Sequence, residues 1–398
     1  MKLKLSPFWI LCLTGGVAIF SSTMAKNPAL PLYVRSLGIS DTALGFIAAS
    51  STIVGILASL PAGALSDSIG RRKVVLFAAA IFATAPFLYL LVTNSETLVL
   101  VRVYHGLATA ILGPVALAMV ADTYATGRGE RMGWYSSATL VGRFLAPFIG
   151  GLLIFSNDFH LVYLADGFAG VLTLFLATRL PPDIKAGQTV KNALTKNWRK
   201  YGKEISFVFH HRGILATSGV EAAQYFSYGC LETFLPVYLH ERLGFAAWQI
   251  GLLFTAQILV TAFTKPIMGR FSDRYGRTRT IIAGLVLGGL VIILILSASN
   301  YMLMLILIAL SGLGLSIVTS STSALVADLA RAEGRGSALG VMSGIMDIGQ
   351  SSGPIVTGLL IGAFSFTVAF NTAGLVLIGM SGVFWLAMRS PGAVGGQT

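Results

Sequence analysis

Nine ionisable side chains interrupt long apolar runs in this sequence: Lys26, Arg102, His105, Arg143, Asp166, Glu221, Glu232, Lys265 and Asp347. An ionised group near the centre of a bilayer costs roughly 2.5–3.5 kcal/mol on insertion scales, so each is a functional candidate by default. A carboxyl in such a place can exchange a proton, and a nearby lysine or arginine can hold its ionised form or meet a charged solute. Other chemistries have no comparable footing. The sequence contains no phosphate-binding P-loop and no nucleophile elbow. It has no Cys-x-x-Cys pair and no His/Cys cluster at metal-ligand spacing, so neither a metal nor a cofactor is expected. Cys12 and Cys230 lie inside apolar stretches, which argues against a disulfide framework, and His210 and His211 adjoin Arg212 in a basic segment. An enzyme is not expected.

The elements that position these residues follow from composition. Of 398 residues, 55% are hydrophobic and 11% charged, and mean hydropathy is +0.79. Soluble domains carry about 25% charged residues. A net charge of +12 would suit a nucleic-acid partner, but such a partner needs a polar basic surface, and the apolar content excludes one. A membrane-spanning helix takes about 20 mainly apolar residues. Twelve stretches qualify, at about 7–34, 43–65, 74–93, 97–121, 132–155, 160–178, 213–239, 247–269, 280–298, 301–326, 337–362 and 366–388. The one long polar segment, 179–212, is rich in Lys, Arg and Asn and begins near Pro181-Pro182. It reads as a linker between an N-terminal half, 1–178, and a C-terminal half, 213–398, with a short tail. The expected class is an all-α integral membrane protein of twelve transmembrane helices in two six-helix bundles related by pseudo-twofold symmetry.

The halves repeat each other. Leu30-Pro31-Leu32-Tyr33 returns as Leu235-Pro236-Val237-Tyr238, so the first stretch reads as a retained helix despite Lys2, Lys4 and Ser22-Thr23-Met24-Ala25, which mimic a signal peptide. Gly63-x-x-x-Asp67-x-x-Gly70-Arg71 returns as Gly269-x-x-x-Asp273-x-x-Gly276-Arg277, and Asp122 returns as Asp328, both at a separation of 206 residues. Gly142-x-x-x-Ala146-Pro147 returns as Gly349-x-x-x-Gly353-Pro354 at 207. Parallel repeats of this kind mark transporters. Lys and Arg collect on the side that carries both termini and the linker, leaving only Arg35 and Arg242 opposite, so the positive-inside rule puts both termini in the cytoplasm.

The Gly-x-Leu-x-Asp-x-x-Gly-Arg-Arg run after the second stretch resembles the signature loop of the major facilitator superfamily, and its second copy follows the eighth. Arg102-Val-Tyr-His105-Gly106 resembles the Arg-x-x-Gln-Gly element of that family, with His in place of Gln. Gly142 to Gly151 resembles the Gly-x-x-x-Gly-Pro-x-x-Gly-Gly motif of its drug/proton antiporters, with Ala146 replacing one Gly. From the residues themselves, Gly63 and Gly269 are expected to allow close helix approach, and Gly70 and Gly276 a tight turn. Asp67 and Asp273 suit the positive end of a neighbouring helix. Arg71 and Arg277 are placed to pair with Asp122 and Asp328. The resemblance implies that this network latches the cytoplasmic side shut and breaks when the halves rock; topogenic charge is the competing reading. Gly142, Pro147, Gly151, Gly349, Gly353 and Pro354 are read as a helix-bend motif that shapes a cavity, against generic helix packing.

Arg143, Glu221 and Asp347 fall about 8–11 residues from the cytoplasmic ends of their stretches, or about 12–17 Å at about 1.5 Å per residue, close to the midplane. Glu221 and Asp347 lead as proton carriers. Gln224, Tyr225 and Tyr228 share one helical face with Glu221. Lys26, Arg102, His105, Asp166 and Glu232 fall in the outer half. Aligning Pro31 with Pro236 sets Asn27 opposite Glu232, with Lys26 one position away, so Lys26 and Glu232 are candidates to meet when the outer side closes; snorkelling of Lys26 competes with this. Arg102 reads as proton handling or helix structure, His105 as a proton carrier or a packing histidine, and Asp166 as a coupling acid or a polar helix contact. Lys265 lies near a helix end, where it can snorkel.

The leading expectation is proton-coupled export of a small organic solute, drug-like, zwitterionic or amphipathic, by rocker-switch alternating access. The proton gradient supplies the energy, and a monomer works in the cytoplasmic membrane. The alternatives are a proton symporter or uniporter for uptake, a lipid or lysolipid translocator, and a non-transporting membrane sensor. The partners are then a small-molecule substrate, protons and the lipid bilayer.

Overall fold

The computed structural model describes residues 6–124, 127–155, 158–182, 206, 208, 210–330 and 334–389. Most of the expected linker and the tail after Arg389 lie outside these residues. The described chain is helical almost throughout. The helices are α1 (Pro7–Lys26), α2 (Ala29–Ser36), α3 (Asp41–Ile69), α4 (Arg71–Tyr89), α5 (Ser95–Thr123), α6 (Arg128–Leu153) and α7 (His160–Thr178), then α8 (Arg212–Leu243), α9 (Ala247–Tyr275), α10 (Arg277–Ile295), α11 (Tyr301–Leu329), α12 (Arg335–Ala363) and α13 (Phe366–Arg389).

Two features depart from the apolar pattern. The first stretch, expected as one helix, is broken between α1 and α2. Pro28 has no N–H to donate and pushes the preceding residue out of the helical region, and Asn27 is extended at φ −137° and ψ 124°. In the second half, α8 runs unbroken. The signature loops are the other departure, because they are almost entirely helical. Only Gly70 separates α3 from α4, at φ 105°, and only Gly276 separates α9 from α10, at φ 94°. Side chains rarely adopt this backbone, which is why both positions are glycine. The apolar pattern stops where the hydrocarbon would stop, and the helices continue past it.

Among the described residues, ten helical segments are long and apolar enough to cross a membrane, with α1 and α2 counted together. The exceptions are α8 and α12, although they span 32 and 29 residues. They carry Glu221, Glu232 and Asp347 and pack against each other. A helix covered by protein need not be apolar on every face. Elsewhere Leu57, Leu91, Phe168 and Phe263 are exposed, as expected where lipid is the solvent.

The chain divides into two compact units. Unit 1 comprises Met1–Ile39, Ser50–Asn197 and Gly244–Leu252; unit 2 comprises Ser40–Ala49, Trp198–Leu243 and Leu253–Thr398. Within unit 1, α1 packs on α6 and α7, and α4 on α5 and α7. Within unit 2, α8 packs on α12 and α13, and α10 on α11 and α13. The repeat in sequence is thus a repeat in packing.

Glycine sets the closest of these crossings. A Cβ on Gly142 of α6 would run into the Gly16 carbonyl of α1 and sit 3.0 Å from the Phe20 nitrogen. On Gly349 of α12 it would run into the Ala222 carbonyl of α8, and on Gly353 into the Phe226 carbonyl. Gly151 is equally tight, with Trp248 Cα 2.9 Å from its would-be Cβ. Pro147 and Pro354 both lie inside their helices. The expectation for Gly63 and Gly269 does not hold: a Cβ at either meets nothing within 4 Å, so neither sits at a tight crossing. Their place in the motif resembles a packing glycine, but the side of the helix they occupy is open, whereas Ala62, Ser66 and Ser272 close by are buried.

Candidate transport site

At the Gly70 and Gly276 turns the motif charges assemble twice. In unit 1, Arg71 pairs with Asp67 at 2.5 Å and with Asp122 of α5 at 3.0 Å, and it also donates to the Ser66 hydroxyl. In unit 2, Arg277 pairs with Asp273 at 2.8 Å and with Asp328 of α11. Each guanidinium therefore ties three helices of its own unit together. The Asp67 and Asp273 carboxylates, expected to face a helix N-terminus, meet a guanidinium at the head of the next helix. All four carboxylates are substantially exposed, so each pair is worth a fraction of a kcal/mol, about 0.2–1 at most.

Deeper in unit 2, Glu221 of α8 is buried. It accepts a hydrogen bond from the Thr322 hydroxyl of α11, and Lys265 of α9 lies close enough to act on it electrostatically. The Thr322 hydroxyl is also within 2.9 Å of its own helix's Val318 carbonyl. Gln224, one turn on, is buried and its Oε1 has no hydrogen-bond partner among the described residues. Tyr225 and Tyr228 are half-buried and meet edge to face, with centroids 5.9 Å apart. Asp347 of α12 is half-buried and Glu232 is buried.

Unit 1 holds a different polar cluster. Arg102 and His105 of α5 are both buried. Arg102 donates to Ser51 Oγ at 2.5 Å and to the Tyr89 hydroxyl. That hydroxyl is 3.5 Å from His105 Nδ1. Tyr89 stacks on Tyr163 of α7 at 4.6 Å with rings nearly parallel. Asp166, one turn along α7, is fully buried and accepts from the Ser21 hydroxyl of α1. Arg143 is exposed on α6 and Lys26 is half-buried on α1. Pairings of Lys26 with Glu232, or of Arg143 with the unit 2 acids, would join residues of different units and remain expectations.

The glycine crossings fix the register of the repeat. Gly16 corresponds to Ala222, so Glu232 corresponds to Lys26 itself, not to Asn27. The Pro31–Pro236 match misplaced it by one because the break at Asn27–Pro28 takes an additional residue in unit 1. Sequence reasoning missed Ser21, Tyr89, Tyr163 and Thr322. Comparison of the repeats position by position would have exposed the two tyrosines, whose counterparts are Ile295 and Phe370.

The sequence model of the Major Facilitator Superfamily matches residues 11–249 and 217–397. The chain belongs to this superfamily of membrane transporters, which carry small molecules and are not enzymes. It is similar to the Multidrug resistance protein 1 of Bacillus subtilis, 25% identical over 337 residues that cover 84% of each chain. It is also similar to the Quinolone resistance protein NorA of Staphylococcus aureus, 21% identical over 355 residues and 89% of each. Among solved structures, a bacterial homologue of the human lysosomal transporter Spinster, inward-facing and unoccupied, has the same fold, with a TM-score of 0.81, 16% identity and 96% of each chain covered.

Proposed function

We propose that the protein exports small organic solutes in exchange for inward-moving protons, by alternating access of the halves 1–178 and 213–398, which 179–212 connects. The observation that carries the coupling is Glu221, buried and hydrogen-bonded to Thr322. The Thr322 hydroxyl has one hydrogen and three acceptors in reach, Glu221 and the Val318 and Thr319 carbonyls. With Glu221 ionised, that hydrogen goes to the carboxylate. With Glu221 protonated, Glu221 donates to Thr322 and the hydroxyl turns to Val318. The acid thus gains and loses a proton without leaving a buried donor unpaired, which would be costly. Asp347, half-buried on the helix packed against α8, is the second coupling acid. The outward direction and a drug-like substrate are supported by the two relatives, whose names are those of resistance proteins. The protein works as a monomer in the cytoplasmic membrane, both termini inside, driven by the proton gradient alone. The Arg71 and Arg277 clusters latch the cytoplasmic side and part when the halves rock.

Proteoliposomes with an imposed pH gradient test this, with the zwitterionic fluoroquinolone ciprofloxacin as probe. Probe movement opposite to protons is expected. Glu221→Gln should slow gradient-driven movement at least about tenfold, equivalent to about 1.4 kcal/mol, while exchange of labelled for unlabelled probe without a gradient continues. Co-movement of probe and protons overturns the exchange reading, and a wild-type rate in Glu221→Gln removes the residue from the mechanism.

A further inference from the structure

The two units share a scaffold, so each position in one has a counterpart that shows what the fold alone requires. Two contacts, each made inside its own unit, show that α7 of unit 1 corresponds to α13 of unit 2 in one register. The Ser21 hydroxyl reaches the Asp166 backbone carbonyl at 3.4 Å, and Ser227 reaches that of Ala373 at 2.8 Å. The Tyr33 ring meets Phe159 at 5.4 Å, and Tyr238 meets Phe366 at 5.6 Å. In this register the unit 1 residues Tyr89, Arg102, His105, Tyr163 and Asp166 stand where unit 2 has Ile295, Ile308, Ser311, Phe370 and Ala373. All five unit 2 residues are buried. Unit 2 keeps one polar pair here, Gln257 donating to Ser311 at 2.9 Å, with Gln257 in the place of Ser51; the ionisable groups and tyrosines of unit 1 are an addition that packing does not demand.

The cluster also leaves polar atoms uncommitted. Asp166 Oδ2, the Tyr163 hydroxyl and His105 Nε2 are buried and have no hydrogen-bond partner among the described residues. An ionised carboxylate with one hydroxyl donor in so apolar a place is costly unless a cation stands near. Arg102 is the cation on the far side of the tyrosine pair: both it and Asp166 act electrostatically on Tyr89 and on Tyr163. Ionised Asp166 keeps the Ser21 hydroxyl as its donor, and burial favours the protonated form.

We infer that Asp166 is a further proton-binding carboxyl beside Glu221 and Asp347, contained wholly within unit 1, and that it changes protonation during the transport cycle. The inference deepens the exporter reading and rests on it for its role in the cycle. The step is proton gain and loss at the Asp166 carboxyl; no other bond changes. Ser21 of α1 bonds it, and Tyr89 of α4 and Tyr163 of α7 feel its charge; the other titratable groups at this level of unit 1 are Lys26 on α1, Tyr33 on α2, and Arg102 and His105 on α5. The lightly touching α6 contributes only the exposed Arg143 as a charge near mid-helix.

Infrared difference spectroscopy on the purified protein in lipid, titrated from acid to alkaline pH, reads this without a substrate. A carboxylic-acid carbonyl band should grow as pH falls, persist in Glu221→Gln and be lost in Asp166→Asn. Asp166→Ala, which reproduces the unit 2 residue, is the second variant and should lose the same band. Identical titration of the wild type and both variants overturns the inference, whether Asp166 stays protonated or stays ionised throughout. In proteoliposomes, Asp166→Asn should keep gradient-free probe exchange and lose gradient-driven movement; gradient-driven movement at the wild-type rate overturns the role in the cycle. If the wild type itself shows no gradient-driven movement while the band still titrates, the exporter reading fails and the proton site stands.

Discussion

Ser21 and Ser227 make the same reach in their two units, from the first helix to a backbone carbonyl of the last, yet one of those carbonyls belongs to an aspartate and the other to an alanine. The reverse holds elsewhere. Glu221 and Thr322 of unit 2 occupy the places of Gly15 and Ala116 in unit 1, and the Tyr135 ring fills the space beside Gly15, within 2.5–2.7 Å of a would-be Cβ. Among the described residues, Asp166 of unit 1 and Glu221 of unit 2 are each a buried acid held by a hydroxyl from a neighbouring helix, at different places in the shared frame. A duplicated scaffold has let its copies diverge in buried charge while keeping every helix pairing. What is common to both is structure, and what differs is the better guide to chemistry.

The comparison breaks most visibly at the glycine crossings, which belong to the common part. Gly349→Ala should destabilise by about 1–3 kcal/mol, as overpacking does, and Gly142→Ala should do the same in unit 1. Gly63→Ala, with open space around it, should stay within about 0.5 kcal/mol of wild type. Thermal unfolding of the purified variants measures all three, and equal shifts at Gly63 and Gly349 would dissolve the distinction between crossing and free glycines.

A sharper cut comes from the serines. Ser227→Ala removes one buried hydrogen bond to a carbonyl and should cost about 1 kcal/mol, with no change in the pH dependence of transport. Ser21→Ala should cost a similar amount and also move that pH dependence, because it strips Asp166 of its hydroxyl partner. Matching pH profiles would mean that the difference between the units is ornamental. The smallest effect is expected at the rim, where the units agree. Asp122 and Asp328 are 61% and 56% exposed, so Asp122→Asn and Asp328→Asn should each shift stability by no more than about 0.2–1 kcal/mol while slowing transport. A larger stability loss in one would show that the rim clusters are unequal.

Much of this was readable in the sequence. Twelve apolar stretches, two copies of a charged turn and a constant spacing gave the helices, the repeat and the Arg71–Asp122 and Arg277–Asp328 pairs. The break after Lys26 was not readable. Pro61, Pro86, Pro114, Pro147, Pro236, Pro266 and Pro354 all sit inside intact helices, so a proline in a membrane helix is no signal by itself. The partners of the buried acids were hidden for a similar reason. Thr14 and Thr217 donate to carbonyls four residues back in their own helices, and nothing in sequence sets Ser21 or Thr322 apart from them. Gly63 and Gly269 misled because the motif marks where they sit and not what stands beside them.

The single-residue turns at Gly70 and Gly276 have a mechanical meaning. One residue offers two backbone torsions, and a longer connection would have had many to soak up a displacement. Whatever tilts α3 or α9 must tilt α4 or α10 almost at once, with little slack between them. The charged rim sits on these stiff joints, so a push on a single helix arrives there as the movement of a pair.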